Sequence, residues 1–418
     1  MLQISLKKIL LIFGFILIVA VIGFLIYYLF FTSAGQITLP TAPTEEEISG
    51  QALGGLPAKD LAKLSEKKMA EQFAAEKKIT KVAAPTGAKP DSIAKGGITA
   101  VKTLSFDLTP SFRVTKTGGL YSYDANSGAF YKITAAGDKE LLTDKIYKNV
   151  KNITWANNDN QAVLEFPDGS NILFNFQTGQ QTTLPKSWQD FSFSPAGDKI
   201  VFKDMDPNPE YSWLAIANPD GSGQKYIDNM GDKANNVLPN WSPNGQVVAL
   251  FKSSGTGITT KIQMVGQNQE NFQAFDAKGL GFKYDWSPAG DKILYGTYNP
   301  VENMDPCLYI VNASPTTVGY NHKKINLKTW VNKCTFGDND TAYCAVPKEL
   351  PDYAGTTPEI ADSIPDYVYK IDLTTGMTSF IAEPEYNYTI DKMTVSPDGE
   401  YLYFVDKQTN TLHSIQLK

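Results

Sequence analysis

The chain has little histidine and little cysteine: 418 residues hold two His and three Cys. Two imidazoles, His322 and His413, cannot build a His-rich metal centre, and three thiols cannot staple a dense disulfide scaffold. No metal or cofactor is expected. A basic excess is missing too. With 38 Lys+Arg against 44 Asp+Glu the net charge is −6, which argues against nucleic-acid binding, because phosphate contacts need basic surface. There is no Gly-x-Ser-x-Gly elbow to carry a hydrolase nucleophile. These absences give a non-enzymatic reading. Apolar material is not lacking: 42% hydrophobic and 12% aromatic residues exclude a wholly disordered chain.

Residues 9–31 form an uncharged, apolar run. As a helix it would cover roughly 35 Å, enough to cross a bilayer core. Lys7 and Lys8 precede it and no base follows until Lys59, so the positive-inside rule puts the N-terminus in the cytoplasm and the rest outside. The expectation for residues 1–31 is a single-pass cell-membrane anchor, with Thr32-Ser33-Ala34 a weak cleavage site. Residues 32–97 are rich in Pro, Ala, Gly, Lys and Glu, with Phe73 the lone aromatic. Such a segment cannot bury enough apolar surface to order itself, and reads as a flexible spacer with a marginal helix near 57–78.

The remainder, 98–418, repeats. FSFSPAGDKIVF (191–202), PNWSPNGQVVALF (239–251), YDWSPAGDKILYG (284–296) and MTVSPDGEYLYFV (393–405) share one pattern. ITWANNDNQAVLEF (153–166) and CTFGDNDTAYCAV (334–346) are degenerate copies, and 113–133 is a fainter one. The anchor positions are Val114, Trp155, Phe193, Trp241, Trp286, Phe336 and Val395, spaced 38 to 59 residues apart. A period in this range with β-rich units signals propeller blades of four strands. Pro sets φ at each turn entry and Gly supplies the positive φ. The anchors are expected to be structural, and the fold an all-β propeller of seven blades. The strand Ala100–Asp107 should supply the outer strand of the last blade, because only three strands follow its anchor.

An aromatic residue followed by Ser-Pro-x-Gly-x-x-aliphatic resembles the TolB-type propeller repeat, itself similar to the WD repeat. The resemblance covers about residues 98–418. It implies a bacterial source, under which the Asn-x-Ser/Thr sequons at Asn152, Asn312, Asn339 and Asn387 are coincidental. Propellers of this type commonly have six blades, which stands as the alternative to seven. The anchor and spacer depart from the family plan, so its partners do not carry over.

Three loops between second and third strands are long: 204–212, 297–306 and 347–366. Strand alternation projects all three from one face, and long irregular loops on a rigid scaffold are where binding usually sits. They carry Asp204, Asp206, Glu210, Glu302, Asp305, Glu349, Asp352, Glu359, Asp362 and Asp366, with Lys348 the one base, and the tyrosines Tyr211, Tyr298 and Tyr353. This acidic face is the expected site for a protein or cell-envelope partner of basic character. The alternative is an enzyme or small-ligand sensor using the central channel. No feature specifies the oligomeric state. Cys334 and Cys344 lie equidistant from the turn at Asn339, so they would face each other across a hairpin, and an extracytoplasmic location permits a disulfide. Asp338–Thr341 and Asn157–Asn160 read as Asx turns rather than calcium loops. His413 alternates with Leu412 and Ile415, which suits a surface position.

Overall fold

The structure, a computed structural model, describes residues 89–418 apart from Ala135, Gln269 and Asn271. The expected membrane segment and most of the spacer lie outside the described residues. Among the described residues no helix is long and apolar enough to cross a membrane.

Seven sheets follow one another along the chain. Blade 1 begins at Ser111–Val114, blade 2 at Asn152–Trp155, blade 3 at Trp188–Phe193 and blade 4 at Val237–Pro239. Blade 5 begins at Leu280–Trp286, blade 6 at Cys334–Phe336 and blade 7 at Ile390–Val395. Within each blade the strands run as an antiparallel meander, with the first strand innermost. Seven apolar clusters join them, one at each junction from blade 1–2 round to blade 7–1, so the ring is closed. The reason lies in the strand sequences. A blade packs on both sides, so its strands need apolar residues on both faces and read as continuous runs. In Ile200-Val201-Phe202, the outer two side chains pack toward blade 2 and Val201 toward blade 4.

The Ser-Pro-x-Gly turns follow from side-chain chemistry as well as φ. The glycines Gly197, Gly245, Gly290 and Gly399 sit at φ of 74, 76, 67 and 69°, the left-handed region that favours glycine. Each serine is buried and does two jobs. Ser242 Oγ donates to Asn244 at 2.7 Å and accepts the Val247 amide at 2.9 Å. Ser194, Ser287 and Ser396 accept the corresponding amide in their blades at 2.9–3.1 Å. Neighbouring turns are stitched together, as where Asn244 Nδ2 donates to Gly290 O at 2.7 Å. The degenerate turns are Asx-stabilised: Asn158 Oδ1 accepts from Asn160 N, and Asp338 Oδ1 from Asp340 N.

Six of the anchors are the last residue of an innermost strand, and Trp241 lies two residues past Val237–Pro239. Phe193, Trp241, Trp286 and Val395 are buried, while Val114, Trp155 and Phe336 are half-buried.

The ring closes where Lys102–Ser105 pairs antiparallel with Leu412–Gln416 as the outer strand of blade 7. Strand pairing extends upstream of residue 98. Gly97–Thr99 pairs in parallel with Thr378–Pro384 on the outer edge of blade 6. Asp91 exchanges backbone hydrogen bonds with Ile98 and Ala100, and Ala94 N donates to Gln416 O. The segment 91–105 is therefore a strap across the outer edges of blades 6 and 7.

The strap corrects the expectation for His413. With Lys102–Ser105 in place, Leu412–Gln416 is no longer an edge, and both its faces are covered. His413 is buried, with Nδ1 3.2 Å from Thr103 Oγ1 and Nε2 2.7 Å from Thr411 Oγ1.

Candidate functional site

The loops at 205–212, 299–305 and 348–365 each leave the end of a second strand, on the face shared with the connections between blades. Two of the three meet. Gly355 N donates to Met304 O at 2.9 Å and Asn303 Nδ2 to Asp352 Oδ1 at 3.0 Å. The approach is close enough that a Cβ on Gly355 would lie 2.4 Å from Met304 O. Asn303, Met304 and Tyr353 all adopt positive φ here, at 58, 57 and 64°. Left-handed non-glycine residues cost energy and gather where the surroundings impose them. The loops of blades 5 and 6 thus form one platform. The blade 3 loop packs elsewhere: Asn229 Nδ2 donates to Glu210 O at 2.7 Å and Met230 N to Ser212 O at 2.9 Å.

The ten loop acids do not form one sheet of charge. Asp366 is the first residue of a strand and is buried, with both carboxylate oxygens on Lys333 Nζ at 2.8 and 2.7 Å. Burial raises its pKa to about 6 against the pull of Lys333 and the Ile390 amide. Asp305 is also buried and pairs with Lys328 at 2.7 Å. Glu302 pairs with Lys324, which holds its carboxyl below the usual range. Asp362 lies 3.8 Å from Lys407, and Asp204 accepts from Gln224 Nε2 at 2.9 Å. Asp206, Glu210, Glu349, Asp352 and Glu359 are exposed with no ion pair among the described residues. The single acidic surface is corrected to two patches, one on the blade 5–6 platform and one on the blade 3 loop. The partner lysines lie outside the three loops, which a count over loops misses.

Charge was also not the whole content of this face. Val301 is 81% exposed in the blade 5 loop, Ile360 is exposed in the blade 6 loop, and Tyr386 in the blade 6–7 connection. Tyr211 and Tyr353 are exposed, whereas Tyr298 is half-buried. The sequence signal for the aliphatic pair was an isolated Pro-Val and Glu-Ile in otherwise polar stretches.

Beneath the platform lies a pocket of about 170 Å³. Blade 5 contributes Gly281, Lys283, Gly296, Thr297, Tyr298 and Pro306, the blade 5–6 connection Thr329, Trp330 and Val331, and the blade 6 loop Gly355, Thr356 and Pro358. Asp285, on the innermost strand of blade 5, is solvent-exposed, and the protein crowded around it raises its carboxyl to about 6. A raised carboxyl pKa favours folding below the ordinary carboxylate pKa, and that contribution is lost as pH rises through 6. Asp285→Asn is therefore expected to be more stable than the wild type at pH 7 and to equal it near pH 3. Thermal melts across that range check this, and an unchanged difference at the two pH values would contradict it.

Cys334 and Cys344 are direct cross-strand partners, with Cα atoms 4.0 Å apart, and form a disulfide. Cys307 is a buried free thiol whose pKa burial pushes up to about 11. Among the described residues no group of three or more His, Cys, Asp or Glu is placed to hold a metal ion.

No family model matches the chain, and no curated protein sequence matches it. Solved propellers do match. The Cps50 (Swd1) β-propeller domain of Myceliophteria thermophila aligns with a TM-score of 0.52 at 10% identity, over 76% of this chain and all of that one. A chain of the Mitotic Checkpoint Complex aligns at 0.51 and 11% identity, over 81% and 98%. An oligogalacturonate lyase in complex with manganese aligns at 0.50 and 12% identity, over 78% and 99%. Such identities show the fold alone: the chain is a seven-bladed, WD-repeat-like β-propeller.

Proposed function

We propose that the chain is a non-enzymatic binding module. Residues 9–31 tether it to the cell membrane, the spacer extends it, and the propeller engages a basic protein or cell-envelope component outside. The observation that carries this reading is the blade 5–6 platform. There two long loops are locked together by hydrogen bonds at strained residues, and exposed apolar side chains sit beside unpaired acids. Mixed apolar and charged surface on a rigid scaffold is the composition of a recognition site. The similar chain in the Mitotic Checkpoint Complex also works within a protein assembly.

A second reading, an enzyme or small-ligand sensor, is favoured by Asp285, because carboxyls with raised pKa gather at functional sites. The oligogalacturonate lyase gives the fold a precedent. The pocket volume weighs against it, since small-molecule sites usually start at about 300 Å³.

Charge reversal tests the first reading. Glu349→Lys with Glu359→Lys is expected to cut partner capture by crosslinking at least about tenfold, with the melting temperature unchanged. Undiminished capture by the folded variant would contradict it.

A further inference from the structure

Blade 3 carries an aromatic pair that belongs to no core. Asp204 and Trp213 lie directly opposite each other on neighbouring strands. Tyr226, on the outer strand, lies opposite Ala215, two residues beyond Trp213, so these side chains share one face of the sheet. The Trp213 and Tyr226 rings stand 5.3 Å apart at 39°. Tyr226 is 52% exposed and Trp213 half-buried, and neither ring joins any of the seven apolar clusters between blades. A paired Trp and Tyr outside the core mark a binding surface. Polar groups are fixed beside the rings. Asp204 Oδ2 accepts from Gln224 Nε2 at 2.9 Å and from the Tyr226 hydroxyl at 3.4 Å. Asp204 Oδ1 and the second Nε2 hydrogen of Gln224 have no partner among the described residues. An acceptor and a donor thus stand side by side, the complement of two neighbouring hydroxyls. A lysine or arginine could use the carboxylate but not the amide donor beside it. An anionic ligand is disfavoured as well. No base pairs with Asp204 among the described residues. Lys225 Nζ donates to Gln267 O on blade 4 at 3.1 Å, and Asp206 and Glu210 are exposed in the adjoining loop.

We propose that this face of blade 3 binds a neutral polysaccharide strand. A pyranose ring carries C–H bonds on its faces and hydroxyls around its edge. The C–H face lies on Trp213 and Tyr226, whose ring faces are the negative side of the aromatic quadrupole. Two neighbouring hydroxyls meet Asp204 and Gln224, one donating to the carboxylate and one accepting from the amide. The site is separate from the blade 5–6 platform and does not rest on the protein-binding role proposed for it.

The test titrates the full chain by calorimetry with three hexasaccharides: β-1,4-linked glucose, β-1,4-linked N-acetylglucosamine, and galacturonic acid as the anionic control. At least one neutral hexamer should bind, at least about tenfold more tightly than the galacturonate. Trp213→Ala and Tyr226→Ala should each weaken it at least about tenfold, and Asp204→Ala at least about fivefold. Tyr226→Phe, which keeps the ring, should cost less than about threefold. The Tyr226 ring is exposed, so Tyr226→Ala should keep the wild-type melting temperature, and its loss of binding then reports the contact rather than the fold. No binding of either neutral hexamer, equal binding of the galacturonate, or unchanged affinity in Tyr226→Ala would overturn the proposal. A photoreactive residue at position 226 that crosslinks a polypeptide in native cells, with neither neutral hexamer bound, would overturn it too and assign the aromatic pair to a protein interface.

Discussion

Asp366→Ala is expected to destabilise the propeller by about 3–5 kcal/mol, the usual cost of removing one partner from a buried ion pair. Asp366 and Lys333 are 1% and 6% exposed. Removing the carboxylate strands an ammonium at the junction of blades 6 and 7 and leaves the Ile390 amide, now 2.6 Å from Asp366 Oδ2, without its acceptor. The pair also has a positional role. Lys333 ends the blade 5–6 connection, Asp366 opens the strand that follows the blade 6 loop, and Ile390 opens blade 7, so one carboxylate fixes the platform's exit to both neighbours. Urea unfolding should show a lower midpoint with an unchanged slope. A loss below about 1 kcal/mol would mean the pair is solvated like a surface bridge.

Deleting the strap, residues 91–105, is expected to cost at least about 5 kcal/mol, the whole stability of a domain at the low end of the usual range. Blade 7 would lose its outer strand and expose the donors and acceptors of Leu412–Gln416. His413 would lose Thr103, the blade 7–1 cluster would lose Leu104, and blade 6 would lose its parallel fifth strand. Full burial of a leucine alone is worth roughly 1.5–3 kcal/mol. The readouts are the melting temperature and hydrogen exchange of blade 7 amides, which should become the fastest-exchanging of the seven blades. A deletion variant that melts like the wild type would contradict the closure described here.

The blades were legible because each repeat writes its own turn: Ser-Pro-x-Gly needs only local backbone geometry, and Ile-Val-Phe or Val-Val-Ala-Leu-Phe runs report burial on both sides. Closure by a strand near Ala100–Asp107 was legible by counting, since three strands after Val395 demand a fourth. What stayed hidden depended on distant residues. Gly97–Thr99 straddles the expected boundary between spacer and propeller at 97/98, and only the edge of Thr378–Pro384, far along the chain, makes it a strand. His413 looked exposed because its cover, Thr103, lies at the other end of the domain. Asp305 and Asp366 looked like surface charges because Lys328 and Lys333 belong to another connection. The membrane reading concerns residues outside those described, and it stands as part of the proposal.

Site-specific photocrosslinking tests the role of the long-loop face most directly. A photoreactive residue is placed at Val301 or Tyr353 on the platform, and at Tyr320 or Met377, exposed in the third-to-fourth-strand turns of the opposite face. The full chain is then irradiated in its native cells. The account predicts a discrete adduct from 301 and 353 and none from 320 and 377. Adducts from 320 or 377 with none from the platform would contradict it.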